Sequence, residues 1–201
     1  MLTNIYWKSW VDDSMELLHY IFHHRDVVSP QDHSRLLELC EEFEFPEYNT
    51  PEPDHNYHIK GYRSHVVLEP EDGEIFRLIH KAHLRIMPKI YEDYPETLPT
   101  DIYDKYSGYW LCKYPEGGYL SKHADIDGDA GSVTISYNIN DDYDGGELCF
   151  WDEHDVEKHA NSMHVSPSNH LFMHEVKPVT KGTRYSVITW FSYQKGKQWL
   201  I

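Results

Sequence analysis

The sequence predicts an α+β fold in which helices of the first half cover a β-sandwich or jelly-roll barrel built by the second. Up to about residue 95 the apolar positions recur at helical spacing in two stretches; from residue 106 onward short β-rich runs are separated by Gly, Pro, Asp and Asn. The length of 201 residues suits one domain with a sizeable core. The expectation is therefore a single domain over 1–201, with helix-rich support at 1–105 and a β core at 106–201.

Taken in chain order, residues 20–28 read as a strand. It ends at Ser29-Pro30-Gln31-Asp32, where Ser29 can cap a helix, Pro30 suits its first position and Asp32 can complete a capping box. Leu36, Leu37, Leu39, Cys40 and Phe43 carry that helix to about Glu44. Residues 46–53 are turn-rich and 57–68 alternate as a strand. Pro70 and Asp72 introduce a second helix with the stripe Ile75, Leu78, Ile79, Ala82, His83, Ile86 and Ile90; Pro88 is expected to kink or end it. Prolines within 94–100 mark a boundary. The β-rich runs are 108–114, 119–125, 133–139, 147–151, 163–165, 170–176 and 184–193.

Composition excludes several functions. With 34 acidic against 18 basic side chains the net charge is −16, and the densest basic stretch, 195–197, holds only two lysines. Such a surface repels phosphate backbones, so no nucleic-acid partner is expected. The charge reads first as an aid to solubility, with attraction of a basic peptide as the sharper alternative. Asp127, Asp129, Asp141, Asp142 and Asp144 read likewise as a solvated rim. No apolar run is long enough to cross a bilayer, and the first ten residues lack the apolar stretch of a secretory signal. Cys40, Cys112 and Cys149 are odd in number without a C-x-x-C pair, which argues against a disulfide framework or a cysteine metal site. A cytoplasmic address with no membrane partner is expected, and the oligomeric state is left open.

The chemistry concentrates in the second half. His123 and Asp125 stand two residues apart in a predicted strand, so imidazole and carboxylate point the same way. In a chain with 15 histidines that pattern alone is weak. A further histidine from another strand would complete two imidazoles and one carboxylate on one face of a metal, the arrangement preferred by non-haem iron(II) oxygenases because it leaves positions open. His174 lies in a later apolar run and Arg184 follows ten residues on. Alternation places Arg184, Ser186, Ile188 and Trp190 on one strand face. If that face is interior, the buried guanidinium needs an anion, and a carboxylate is its bidentate partner. His23, His24, His154, His159, His164 and His170 have no second ligand at convincing spacing and read as surface or core histidines.

The segments Tyr114-Pro115-Glu116-Gly117-Gly118-Tyr119-Leu120-Ser121-Lys122-His123-Ala124-Asp125, Val133-Thr134-Ile135, Gly145-Gly146-Glu147-Leu148, His174 through Pro178, and Thr183-Arg184-Tyr185-Ser186 through Trp190-Phe191 resemble, in order and spacing, the iron(II)/2-oxoglutarate-dependent dioxygenases of the prolyl 4-hydroxylase-like type. The resemblance covers about half the chain. It implies a double-stranded β-helix (jelly-roll) core with the N-terminal helices buttressing its major sheet. It implies that His123, Asp125 and His174 bind Fe(II), that Arg184 pairs with 2-oxoglutarate and that Tyr114 hydrogen-bonds this cosubstrate. Tyr114 also fits a core tyrosine, and Ser186 either touches the cosubstrate or makes room for it. Where many relatives read tyrosine-leucine-asparagine, this chain reads Tyr137-Asn138-Ile139-Asn140, which would turn Asn138 inward with Thr134 and Ser136 as a polar cosubstrate wall.

The implied reaction is a hydroxylation that consumes O2 and decarboxylates 2-oxoglutarate to succinate, with ascorbate as an admissible auxiliary reductant. The leading substrate is a protein or peptide side chain, a prolyl residue first. The alternatives are a free amino acid or other small molecule, and a non-catalytic metal-binding β-barrel. Specificity is expected in the loops 47–56 and 152–162.

Overall fold

Strand alternation decides which side of the main sheet meets the helices and which side carries the polar groups. The computed structural model describes residues 17–46, 60–95, 108–125 and 131–192. Its larger sheet has six strands in the order β1 (Phe22–Arg25), β10 (Ser162–Pro167), β6 (Gly131–Asn138), β13 (Arg184–Ser192), β4 (Tyr109–Tyr114) and β3 (Ser64–Leu68). The smaller sheet runs β2 (Gly61–Tyr62), β5 (Tyr119–His123), β11 (His174–Val176), β8 (Leu148–Phe150) and β9 (His154–Asp155), and a ribbon pairs β7 (Asp144–Gly145) with β12 (Val179–Lys181). Every pairing is antiparallel. From β4 the chain passes repeatedly between the two main sheets, which is the jelly-roll, double-stranded β-helix path, so the expected α+β class holds.

Helix α1 (Pro30–Glu42) and helix α2 (Glu74–Asp93) lie on the outer face of the larger sheet. Leu36 and Cys40 of α1 and Ile79, Ala82, Ile86 and Ile90 of α2 share one core with Leu111, Ile135, Tyr137, Val165, Tyr185 and Val187. Burying such side chains supplies about 1.5–3 kcal/mol each before entropy is counted. The alternate residues of the same strands, Cys112, Tyr114 and Ile188, turn the other way and pack with Leu120, Val176 and Val179 between the sheets. One face is thus occupied by helices, and the other is left for chemistry.

Several local expectations change. The Ser29 hydroxyl does accept the Asp32 amide, at 3.2 Å, but it donates to the Asp32 carboxylate at 2.8 Å, so the reciprocal capping box is not formed there. That role falls at the next turn, where Asp72 accepts the Glu69 amide at 2.6 Å. Pro88 does not end its helix, which continues to Asp93. Proline deprives the carbonyl four residues earlier of its partner; here that residue is Leu84, on the exposed side of the helix at 46% exposure. The strand expected over 57–68 is two strands in different sheets, β2 and β3, with Arg63 at the crossing; residues 57–59 lie outside the described segments. The strand expected from residue 170 begins only at His174, because Asn169 closes a turn by accepting the Leu171 amide at 2.9 Å. The strands β7, β9 and β12 have two or three residues, too few for alternation to show. Among the described residues no helix is long and apolar enough to cross a membrane.

His83 on α2 is 1% exposed, and burial, with His80 nearby, pushes its pKa down to about 3. The unfolded chain binds a proton there near pH 6.5 while the folded chain does not, so this contribution is complete above that pH and is lost as pH falls toward 3. Between pH 6.5 and 5 the loss reaches about 2 kcal/mol. Thermal unfolding of the wild type and of His83→Leu across that range should show a flatter acid limb for the variant.

Candidate active site

The pairing of β5 with β11 makes His123 and His174 direct cross-strand partners. Asp125 lies two residues past His123, just beyond the end of β5, and its carboxylate turns back between the imidazoles. His123 Nε2 stands 3.4 Å from Asp125 Oδ1, and His174 Nε2 stands 3.7 Å from Asp125 Oδ2. The ring centroids are 4.4 Å apart. One ligand atom from each residue lies within 4.8 Å of the others, and among the described residues this is the one His, Cys, Asp and Glu group with that geometry.

The donor chemistry of the trio fits a cation. His123 Nδ1 donates to the Ser121 carbonyl at 2.9 Å, and His174 Nδ1 donates to the Phe172 carbonyl at 3.0 Å. A carbonyl can only accept, so in the neutral rings the proton sits on Nδ1 and Nε2 presents a lone pair. Two lone pairs and a carboxylate then face one another at separations longer than a good hydrogen bond. Only a proton or a metal ion balances that arrangement. Burial alone would raise the Asp125 carboxyl, but the His123 contact, the electrostatic pull of His174 and His123 and the Thr134 hydroxyl outweigh it and hold the group well below the usual carboxylate range. Burial pulls His174 below its ordinary value against the opposing pull of Asp125.

The surroundings orient the trio. The Thr134 hydroxyl donates to Asp125 Oδ2 at 2.8 Å and lies 2.7 Å from the Ser168 hydroxyl, which can donate to it in turn. The Phe150 ring packs 5.3 Å from His174. Thr134 shares the inward face of β6 with Ser136 and Asn138, as alternation predicts, and Trp190 is its register partner on β13.

Arg184 meets the expectation of a buried guanidinium. It is 3% exposed, and its Nε and Nη1 have no hydrogen-bond partner among the described residues. Tyr114 is its register partner, with the guanidinium carbon 5.0 Å from the ring centroid. Arg63, unforeseen in this role, donates from Nη1 to the Tyr114 hydroxyl at 2.9 Å and to Cys112 Sγ at 3.4 Å. The Tyr114 hydroxyl thus accepts from arginine and keeps its own proton to donate, and burial pushes its pKa up. Ser186 is fully buried, and its hydroxyl has no hydrogen-bond partner among the described residues.

Asn138 lines the same cavity but with its donors committed. Its amide donates to the Asn140 and His159 carbonyls at 2.8 and 3.1 Å, and its oxygen accepts the Tyr143 hydroxyl at 3.1 Å. It therefore buttresses the wall and has no N–H left for an anion. The cavity is lined by Arg184, Asn138, Tyr143 and His164, with Glu147 and Glu157 also on its wall.

Tyr143 and His164 were not legible as site residues. Tyr143 sits in an irregular loop, and its ring fits because Gly146, at φ +67°, has no side chain; a Cβ there would lie 3.0 Å from the ring. His164 sits between Met163 and Val165 and reads from sequence as core. Of the acidic rim, Asp141 accepts the Ala160 amide at 3.0 Å and Asp142 accepts from Asn140 at 2.7 Å, so these two hold loops in place. Asp127 and Asp129 lie outside the described residues. Cys40, Cys112 and Cys149 are all free and buried.

Comparison with known proteins converges on one chemistry. The family model for the 2OG-Fe(II) oxygenase superfamily matches residues 109–192, a span that contains His123, Asp125, His174 and Arg184. The PKHD-type hydroxylase YbiX of Escherichia coli O1:K1 is 24% identical over 184 residues, covering 85% of this chain and 77% of that protein. A PKHD-type hydroxylase of Stenotrophomonas maltophilia is 40% identical over 62 residues, 29% of this chain and 27% of its own length. Among solved structures, a Pseudomonas putida prolyl-4-hydroxylase is similar with a TM-score of 0.64 at 21% identity, covering 94% of this chain and 99% of that one. A Trichoplax adhaerens prolyl hydroxylase in complex with a hypoxia inducible factor peptide fragment gives 0.67 at 14% identity, covering 94% of each chain.

Thr134 meets the trio through Asp125, whose carboxylate its hydroxyl holds. Thr134→Val should weaken divalent metal binding about 10–100-fold with little change in melting temperature, as read by titrating Mn(II) into the protein and following free metal by electron paramagnetic resonance.

Proposed function

We propose that this 2-oxoglutarate- and Fe(II)-dependent dioxygenase, a member of the 2OG-Fe(II) oxygenase superfamily across residues 109–192, hydroxylates a side chain of a protein or peptide, with a prolyl residue first among candidates. The observation that carries the reading is the pairing of a cation-ready His123, Asp125 and His174 with a buried, under-satisfied guanidinium at Arg184 in the same inter-sheet space. A metal-binding barrel without catalysis would have no use for the second half of that pair.

In this reading His123 Nε2, His174 Nε2 and one Asp125 oxygen hold Fe(II), and Arg184 with the Tyr114 hydroxyl holds 2-oxoglutarate. When bound, metal and cosubstrate supply the oxidising chemistry: O2 and 2-oxoglutarate become succinate and carbon dioxide, and one oxygen atom enters a C–H bond of the substrate. The chain's own part is geometric and electrostatic. The Ser121 and Phe172 carbonyls fix both imidazoles in the tautomer that offers Nε2, while Thr134 aims the carboxylate. Arg184 recognises a carboxylate, and its burial strengthens that contact by excluding water. The apolar packing of Trp110 and Ile188 against Cys112, Tyr114 and Val176 keeps the inter-sheet space dry.

The preference for a peptide draws support from the Trichoplax relative, which by its description binds a peptide fragment, and from the acidic balance of this chain, which favours neutral or basic segments over anionic ones. The preference for proline draws on the fold shared with prolyl hydroxylases.

Succinate release with Fe(II), 2-oxoglutarate and a panel of prolyl peptides, set beside free L-proline, tests the reading. Peptide-stimulated turnover that disappears in Asp125→Ala and His174→Ala is expected, and full turnover in either variant would end it. Stimulation by L-proline alone would move the substrate to the small-molecule class. Arg184→Gln should raise the KM for 2-oxoglutarate by about tenfold or more, since hydrogen bonds to charged groups are lost.

A further inference from the structure

Resting on the 2-oxoglutarate reading above, we propose that His164 is a cosubstrate-recognition residue that donates a hydrogen bond to the distal carboxylate beside Arg184, so that this chain reads the diacid with an imidazole as well as a guanidinium.

The inward face of the larger sheet places His164 there. On β10 it pairs with His23 of β1 on one side and with Ser136 of β6 on the other, and Ser136 pairs in turn with Ile188 of β13. This row of residues adjoins the one that holds Asn138 and Ser186. His164 is 6% exposed and lines the cavity that Arg184, Asn138 and Tyr143 also line. Buried side-chain polar atoms mostly have a hydrogen-bond partner. His164 Nδ1 has no partner among the described residues.

It is not alone in that condition. Among the described residues Arg184 Nε and Nη1 and Ser186 Oγ are also buried without a hydrogen-bond partner, as are His23 Nε2 and His65 Nδ1 on the flanking strands, and of these Arg184 shares the cavity with His164. Buried polar atoms left this way oppose folding unless a ligand or water satisfies them. A carboxylate offers about four acceptor sites, enough for a guanidinium fork and one more donor. Asn138 cannot be that donor, because its amide hydrogens already go to Asn140 and His159. Glu157, which also reaches the cavity wall, is engaged by Arg25, and Lys158 is turned to the Tyr143 carbonyl. His164 remains.

The ring is held in the right form. His23 packs against it with centroids 4.0 Å apart. Burial, then His23, Arg184 and His24, keep its proton affinity well below the ordinary value. It is therefore a neutral donor, adding an N–H without a second full charge next to Arg184.

The test measures binding without turnover. Calorimetry on the Mn(II)-loaded full-length chain under nitrogen compares 2-oxoglutarate with 2-oxopentanoate, which chelates identically but lacks the distal carboxylate. In His164→Leu and His164→Gln, each checked for an unchanged melting temperature, 2-oxoglutarate should bind about tenfold more weakly in the leucine variant and less affected in the glutamine variant, while 2-oxopentanoate binds as in the wild type. Equal weakening of both ligands, or no weakening of either, would overturn the role of His164. Failure of the wild type to bind 2-oxoglutarate at all would instead overturn the cosubstrate reading on which it rests.

Discussion

The site depends on one backbone pairing: β5 and β11 lie antiparallel with His123 opposite His174. Side chains on adjacent strands at a directly opposed position are the closest neighbours a sheet provides, so the register sets the distance between the two imidazoles. A slip by one residue would send one of them to the other face of the small sheet. Several features pin that register. Val176 pairs with Leu120 in the same ladder and packs in the inter-sheet core, while the other edge of β11 is paired through Cys149 and Phe150. The irregularity between His174 and Val176 falls beside the site, where a bulge re-aims a side chain.

The larger sheet answers this arrangement with a division of labour between its faces. Its outer residues, Leu111, Ile135, Val165 and Val187 among them, meet α1 and α2 in a continuous apolar core. Its inner residues are unusually polar for a protein interior, including Thr134, Ser136, Asn138, His164, Arg184 and Ser186, all buried. The helical layer supplies the hydrophobic stabilisation, and the inner face carries groups that are incompletely satisfied by the protein itself. Such groups lower stability at the place where they bind, a common feature of functional sites.

Much of this was legible in the sequence, and the reasons are specific. Arg184, Ser186 and Ile188 share a face because strand side chains have a period of two, and Tyr185 and Val187 identify the opposite face by being apolar. His123 and Asp125 follow the same logic, although Asp125 reaches the trio from just beyond the strand end. The helical stripe of α2 was visible because its spacing persists over many residues. What escaped depends on non-local geometry. Nothing near Pro88 shows that the helix runs on past it to Asp93, and nothing near Asn138 shows that two carbonyls take its amide. Arg63 joins Tyr114 across a strand crossing, and Tyr143 reaches Asn138 from a loop without periodicity. His164 was hidden by its apolar neighbours, which made a binding face look like core.

One cation held by His123, Asp125 and His174, with a diacid reaching from it to Arg184, would unite these features. A crystal structure grown anaerobically with Mn(II) and 2-oxoglutarate tests this most directly. A metal within bonding distance of Nε2 of both histidines and of an Asp125 oxygen is expected, with a distal carboxylate on the Arg184 guanidinium. Metal density at another site, or a diacid bound away from Arg184, would contradict it.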